Sequence, residues 1–287
     1  MAEEKVLVTG ATGKVGRELV PLLLDAGLEV KAGTRDPVRA RRLLGSKVEV
    51  VELNYARTET YSHALTWADR VFLMPPPFSP DSDSVIGAFL DWAVAARVRH
   101  VVLLSGMTVG DWTDLALRKV ELHLERQDTD HTILRPNLYM QNFHPGFISR
   151  QLQDGGPVRL PAGQGRVSLV DVRDVAAVAA QVLTGEDHFG SALTLTGSSA
   201  LSMQEAVGII SSFLPGTVAY QPVSDEEYRA ILEEEGWRDG EIQVILGLFE
   251  SIRAGGREPV LPGVEEILGR PPRTFQAFAR ELGEDWS

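Results

Sequence analysis

Lys5-Val6-Leu7-Val8-Thr9-Gly10-Ala11-Thr12-Gly13-Lys14-Val15-Gly16 decides how the rest of this chain is read. Its first five residues are a short apolar run of the kind that forms a buried parallel strand. Three glycines follow at even spacing, and Arg17 to Gly27 then reads as a helix closed by a glycine. A strand, a glycine turn and a helix in that order make a place where a dinucleotide pyrophosphate is held. Glycine lets the backbone approach the phosphates, and the free N–H groups and positive helix end stabilise their charge. The context carries the weight, because three spaced glycines alone would fit a tight turn between core elements with no ligand.

The chain has 287 residues, of which 44% are hydrophobic and 24% charged, enough for one large α/β domain or for a core with a smaller lobe. Its formal charge of -12 repels nucleic acid and anionic membranes, so neither is expected as a partner. It has no cysteine, which removes disulfides, thiolate metal sites and a cysteine nucleophile together. No run reaches the roughly twenty apolar residues that span a bilayer, and the acidic start Met1-Ala2-Glu3-Glu4 does not resemble a signal peptide. A cytoplasmic location is expected. The six histidines show no metal-ligand spacing, and no metal is expected.

Further apolar runs stand at 29–33, 48–51, 70–74, 101–104 and 132–134, with helical stretches clearest at 85–97 and 115–127. This alternation predicts a Rossmann-type α/β fold, a doubly wound parallel sheet covered by helices. Pro21 lies inside the first helix, where it predicts either a kink or a later helix start. The nucleotide-binding core is placed at 1–150, with strands near 167–170 and 192–196 returning to it. Residues 151–287, mainly 200–287, are expected to form a smaller, mainly helical substrate lobe covering the carboxyl edge of the sheet. Within it, Ser202-Met203-Gln204-Glu205 has capping-box spacing.

Sites that prefer NAD usually end the second strand with a carboxylate that accepts from the ribose hydroxyls. Here that place carries Thr34-Arg35-Asp36-Pro37, and the guanidinium fork of Arg35 suits a 2′-phosphate. Lys14 adds positive charge inside the glycine loop. Arg39, Arg41 and Arg42 read as a solvated helix face. The expected cofactor is NADP(H).

At this point the chain resembles a known family. Gly10 to Gly16, Thr34 to Pro37, Leu103-Leu104-Ser105-Gly106 and Thr132 to Asn142 together are similar to the NmrA-like branch of atypical short-chain dehydrogenases/reductases. Val170 to Ala176 and Gly269 to Phe275 match habits of the same branch. Its members include quinone oxidoreductases, azoreductase-like proteins, reductases of ergot-alkaloid iminium intermediates, and a regulator that senses NADP without turnover. The resemblance implies that Gly10, Thr12, Gly13, Lys14 and Val15 line the pyrophosphate, that Arg35 meets the 2′-phosphate, and that Asn54 lies near the adenine. It further places Met74 and Pro75 along the ribose, Ser105 and Gly106 beside the nicotinamide ribose, and Pro136 and Asn137 at the nicotinamide.

The usual chemistry of that superfamily is missing. A Tyr-x-x-x-Lys pair normally supplies the proton, the lysine lowering the tyrosine's pKa. The five lysines are Lys5, Lys14, Lys31, Lys47 and Lys119, and none has a tyrosine four residues earlier; before Lys119 that place is Leu115. Gly106 sits about where the assisting serine is expected. Tyr139, His144, His123 and Asp111 remain as proton donors, Tyr139 first, with Asn137 beside it. An acceptor that is already electron-poor needs little acid help. The expectation is therefore hydride transfer from NADPH to a small quinone, iminium or enone. The alternatives are an NADP(H) sensor without turnover, or an isomerase or cyclase that retains the nucleotide. Oligomeric state is left open.

Overall fold

The computed structural model describes residues 4–76, 82–111 and 113–285. The chain opens with β1 (Lys5–Thr9), α1 (Gly16–Asp25), β2 (Glu29–Thr34), α2 (Pro37–Leu44) and β3 (Glu49–Glu52). Next come α3 (Tyr61–Leu65), β4 (Arg70–Leu73), α4 (Ser82–Ala95), β5 (His100–Leu104), α5 (Ala116–Leu124) and β6 (Asp130–Pro136). The middle section holds α6 (Ser149–Gln153), β7 (Val158–Leu160), β8 (Arg166–Val167), α7 (Val172–Thr184) and β9 (Ser191–Leu195). The chain ends with β10 (Leu201–Ser202), α8 (Met203–Ser211), β11 (Tyr220–Pro222), α9 (Asp225–Glu234), α10 (Asp239–Arg253), α11 (Gly263–Leu268) and α12 (Phe275–Asp285).

These residues form two compact units. One takes the described residues up to 76, 82–135 and 172–194; the other takes 136–171 and 195–285. The first is a Rossmann-type sheet in the order β3-β2-β1-β4-β5-β6-β9. Pairings from β3 through β6 are all parallel. Buried parallel strands need apolar residues on both faces, which is why β4 and β5 are buried from end to end. Leu7, Val71, Leu73, Val101, Leu103 and Ile133 take one face, packed with Tyr61, Phe89, Leu90, Val120 and Leu124 from α3, α4 and α5. Helices α1 and α7 pack on one another.

Helix α1 runs unbroken through Pro21. Proline removes the bond to the carbonyl four residues back, that of Arg17, and both residues are exposed, so water can take that carbonyl. Helix α2 starts at a proline, with Asp36 Oδ1 accepting the Arg39 amide at 2.9 Å.

The strand order reverses between β1 and β4, whose register pairs Val8 with Phe72. Open α/β sheets bind ligands outside the carboxyl ends of strands at such a switch point. Gly10 follows β1 and Met74 follows β4, so both stand there.

The second unit has its own apolar core, with Phe143, Leu160, Ile210, Tyr228, Phe249 and Phe275 among its buried residues. Helices α8 and α9 begin in capping boxes, at Ser202/Glu205 and Ser224/Glu227. The 167–170 run departs from the sequence expectation, because it does not return to the central sheet. Strand β8 pairs antiparallel with β10 in a separate two-stranded sheet. The rest of the run is committed within its own unit: Ser168 donates its amide to the Arg257 carbonyl, and Val170 donates to Leu138. Strand β9, from the other run, is the outermost strand of the central sheet beside β6. Among the described residues, no helix is long and apolar enough to cross a membrane.

Candidate nucleotide site

The glycine loop is a bare turn pinned to the start of α1. Gly13 donates its amide to the Gly10 carbonyl at 2.8 Å, and Gly10 has φ +60, a conformation that glycine adopts without strain. A Cβ on Gly13 would lie 3.1 Å from both the Gly10 carbonyl oxygen and Met74 Cε. On Gly16 it would overlap the Gly10 carbonyl oxygen and stand 2.8 Å from Ala11 Cα. Gly10 and Gly13 therefore form a close cradle, and Gly16 lets α1 start directly against it.

Val15 stands at the N-cap of α1, with no side-chain cap hydrogen bond. Among the described residues, the amides of Thr12 and Val15 donate to no partner. Open amides at the positive end of a ten-residue helix are what a phosphate takes. The residues present therefore fit a dinucleotide pyrophosphate.

Met74 roofs this loop, and its backbone is fixed from both sides. Its amide donates to Thr9 Oγ1 at 2.8 Å, and its carbonyl accepts the Tyr55 hydroxyl at 3.1 Å. Burial pushes the Tyr55 phenol up, which keeps it a donor, and its ring lies edge-on to Phe89 at 5.2 Å. Neither Thr9 nor Tyr55 was expected from sequence. Tyr55 directly follows Asn54, and that adjacency was the available signal. Pro75 is buried beside Met74.

Arg35 follows β2, exposed and without an ion pair among the described residues. Arg39, Arg41 and Arg42 are likewise exposed and unpaired among them. This contrasts with Arg57, Arg229 and Arg238, each of which holds a carboxylate within 3.0 Å. In a chain with 40 acidic residues, positive charge is thus left uncompensated after β2 and along α2. Asn54 is partly committed: its Oδ1 accepts the Ala56 amide at 3.0 Å.

Lys14 is half-buried, and that burial, with the charge of Arg17 second, lowers its ammonium to about 8. A bound phosphate favours the charged form and raises that value, so binding takes up a proton above the unbound pKa. NADPH affinity should be near its plateau at about pH 7, start to fall around pH 8, and steepen above that toward at most about tenfold per pH unit. Lys14→Met should abolish the slope, which titration calorimetry at several pH values will read.

Ser105 and Gly106 follow β5. The Ser105 hydroxyl donates to Glu121 Oε1 at 2.5 Å, and Glu121 is fully buried. Arg135 grips the same carboxylate through Nε at 3.0 Å and a terminal nitrogen at 2.7 Å, and Arg118 adds a third donor at 2.7 Å. Burial alone would raise the Glu121 pKa, but bonds from Arg135, Ser105 and Arg118 outweigh it and hold the carboxyl below its ordinary value. The sequence did not point to this cluster.

In the second unit, Asn137 Nδ2 donates to Ser168 Oγ and to the Arg257 carbonyl, both at 2.8 Å, while Oδ1 accepts the Leu138 amide at 2.9 Å. Both amide hydrogens are spent on holding its own loop. Burial pushes the Tyr139 phenol up. Pro136 is buried. The other acid candidates are also engaged or exposed: His123 contacts Asp91 at 2.7 Å, His144 contacts Ser149 at 2.8 Å, and Asp111 is exposed. Among the described residues no group of three His, Asp or Glu side chains is placed to hold a metal ion. A cavity of about 590 Å³ in the first unit lies among Arg70, Arg99 and His100, at the amino end of β4 and β5, and gathers none of these site residues.

A family model described as NAD(P)H-binding matches residues 10–186, from the cradle through α7. The chain belongs to this NAD(P)H-binding family. It is 35% identical over 288 residues to a (4-alkanoyl-5-oxo-2,5-dihydrofuran-3-yl)methyl phosphate reductase of Streptomyces griseus subsp. griseus, covering 97% of this chain and 98% of that protein. Its fold matches the Citrobacter sp. triphenylmethane reductase solved with NADP(H), at TM-score 0.82 and 22% identity over 97% of this chain and 99% of the other. It also matches NmrA, a negative transcriptional regulator solved with NADP, at TM-score 0.75 and 18% identity, over 99% and 97% of the two chains.

Proposed function

We infer that this protein is an NADPH-dependent reductase of small, electron-poor organic molecules. The observation that carries the reading is the open cradle at the β1–β4 switch point, with uncompensated arginine beside it, in a chain similar along its full length to a reductase. That relative's named substrate carries a ring C=C conjugated to carbonyl groups, an acceptor already poor in electrons.

The cofactor, when bound, supplies the hydride. Gly10, Thr12, Gly13 and Val15 hold the pyrophosphate through backbone amides and close approach, and Lys14 adds charge. Arg35 takes the 2′-phosphate, with Asn54 near the adenine. Met74, Pro75, Ser105 and Gly106 border the other half. In the second unit Asn137 supports its own loop, and burial keeps the Tyr139 phenol protonated.

With no Tyr-x-x-x-Lys pair, selection falls on acceptors whose polarisation is built in. NADPH oxidation should be stoichiometric with loss of a quinone, a butenolide-type enone or an iminium ion, and unmodified ketones should react poorly. Tight NADPH binding with no oxidation across that panel would sink the reading in favour of a nucleotide sensor. Product formed without NADPH loss would favour an isomerase.

A further inference from the structure

Among the described residues, Glu121 is a fully buried charge at the carboxyl edge of the first unit to which the proposed function gives no role. Glu121 is fully buried on α5, where Val120 and Leu124 are buried too. Two guanidiniums saturate it on one side: Arg135 at the end of β6 in a two-pronged grip, and Arg118, which also reaches Glu125 at 3.0 Å. Gly110 makes room for this, since a Cβ there would stand 2.7 Å from an Arg135 terminal nitrogen. The remaining ligand of the carboxylate is the Ser105 hydroxyl at 2.5 Å.

Chemistry fixes the direction of that last bond. A carboxylate held ionised by two arginines has no proton to give, so Ser105 must donate. The Ser105 amide is also committed, to the Leu134 carbonyl at 2.7 Å. What Ser105 offers outward is therefore only the lone pairs of Oγ. Topology says what meets them. With the pyrophosphate at β1 and the adenosine half directed over β2 toward Arg35, the other half of the dinucleotide runs over β4 and β5, and Ser105 is the residue after β5.

We propose that Glu121 is a positioning residue that holds the Ser105 proton, making Ser105 a hydrogen-bond acceptor for an O–H or N–H of the nicotinamide riboside half of NADPH. This rests on the nucleotide reading above. The same polarity withholds Ser105 as a proton source for the substrate. Glu121→Gln reverses the bond, because the amide can donate to Oγ and turn the serine proton outward against the ligand's own donor.

The test uses two probes in titration calorimetry: NADPH, and 2′,5′-ADP, which lacks the nicotinamide riboside. Glu121→Gln should weaken NADPH about tenfold and leave 2′,5′-ADP unchanged. Ser105→Ala should do the same, Ser105→Thr should restore binding, and the double variant should be no weaker than Ser105→Ala alone. Equal loss for both probes, or additive losses in the double variant, would make Glu121 a packing residue and overturn the proposal. If Glu121→Gln does not fold, Ser105→Ala carries the test, since it removes only a half-exposed hydroxyl: NADPH binding within about twofold of wild type in that variant would overturn the proposal. Wild-type protein binding neither probe would overturn the nucleotide reading itself, and this proposal with it.

Discussion

Arg35→Ala should weaken NADPH binding by about 30-fold, roughly 2 kcal/mol, and leave NADH binding within about twofold. The prediction follows from charge accounting around β2. The chain has 28 basic against 40 acidic residues, and many of its arginines hold a carboxylate. Arg35 holds none among the described residues and stands directly after the second strand. A guanidinium free of carboxylates at that position is the group the proposed function assigns to a 2′-phosphate.

Two observations separate this from a general effect of surface charge. The loss should persist with diminished size at high salt, because a two-pronged contact is not only long-range attraction. Arg41→Ala, on the exposed side of α2, should change binding by less than threefold, as expected for a screened charge. Equal NADH and NADPH affinities in the wild-type protein would remove the 2′-phosphate assignment and leave the fold untouched. Calorimetry with both nucleotides and both variants decides it.

The contrast between Arg35 and Glu121 shows what a sequence can and cannot disclose here. The cradle and Arg35 are local: a strand, a turn, a helix start and the end of the next strand lie within 40 residues, and each leaves a residue-type trace. The sheet was legible for the same reason, since buried parallel strands need continuous apolar runs such as Val101 to Leu104. Glu121 leaves no such trace. Arg118, Glu121 and Glu125 are spaced as an exposed, ion-paired helix face would be, and only the fold brings Arg135 and Ser105 onto the same carboxylate.

The second unit was hard to read for a related reason. Its strands β8 and β10 are two residues each, too short for any period to register. The 167–170 run is as apolar as a core strand, yet Ser168 spends its amide on Arg257, a partner far along the chain. Asn137 shows the same in a side chain. The family resemblance implies a place for Asn137 at the nicotinamide, while what the fold adds is that its amide hydrogens go to Ser168 and the Arg257 carbonyl.

Gly16→Ala should be the most damaging single-methyl change in the first unit: a loss of about 3 kcal/mol in unfolding free energy, at the upper end of ordinary overpacking, and no measurable NADPH binding. The new Cβ would overlap the Gly10 carbonyl oxygen and press on Ala11 Cα. Both obstacles are backbone, so no rotamer change relieves them. Relief requires α1 to slide away from the turn, which also carries the Val15 amide away from the phosphate. Gly10→Ala is the informative neighbour. Its Cβ meets Met74 Cε, the far end of a flexible thioether that can swing aside, so its cost comes mainly from φ +60, about 1 kcal/mol. Gly87→Ala, inside α4 with nothing within 4 Å of the added methyl, should instead gain about 0.5–1 kcal/mol from helix propensity. Urea unfolding midpoints for the three variants, with NADPH titration of each that folds, set these outcomes side by side. A Gly16→Ala protein that unfolds within about 0.5 kcal/mol of wild type and binds NADPH normally would mean that α1 does not start where the close approach at Gly16 puts it.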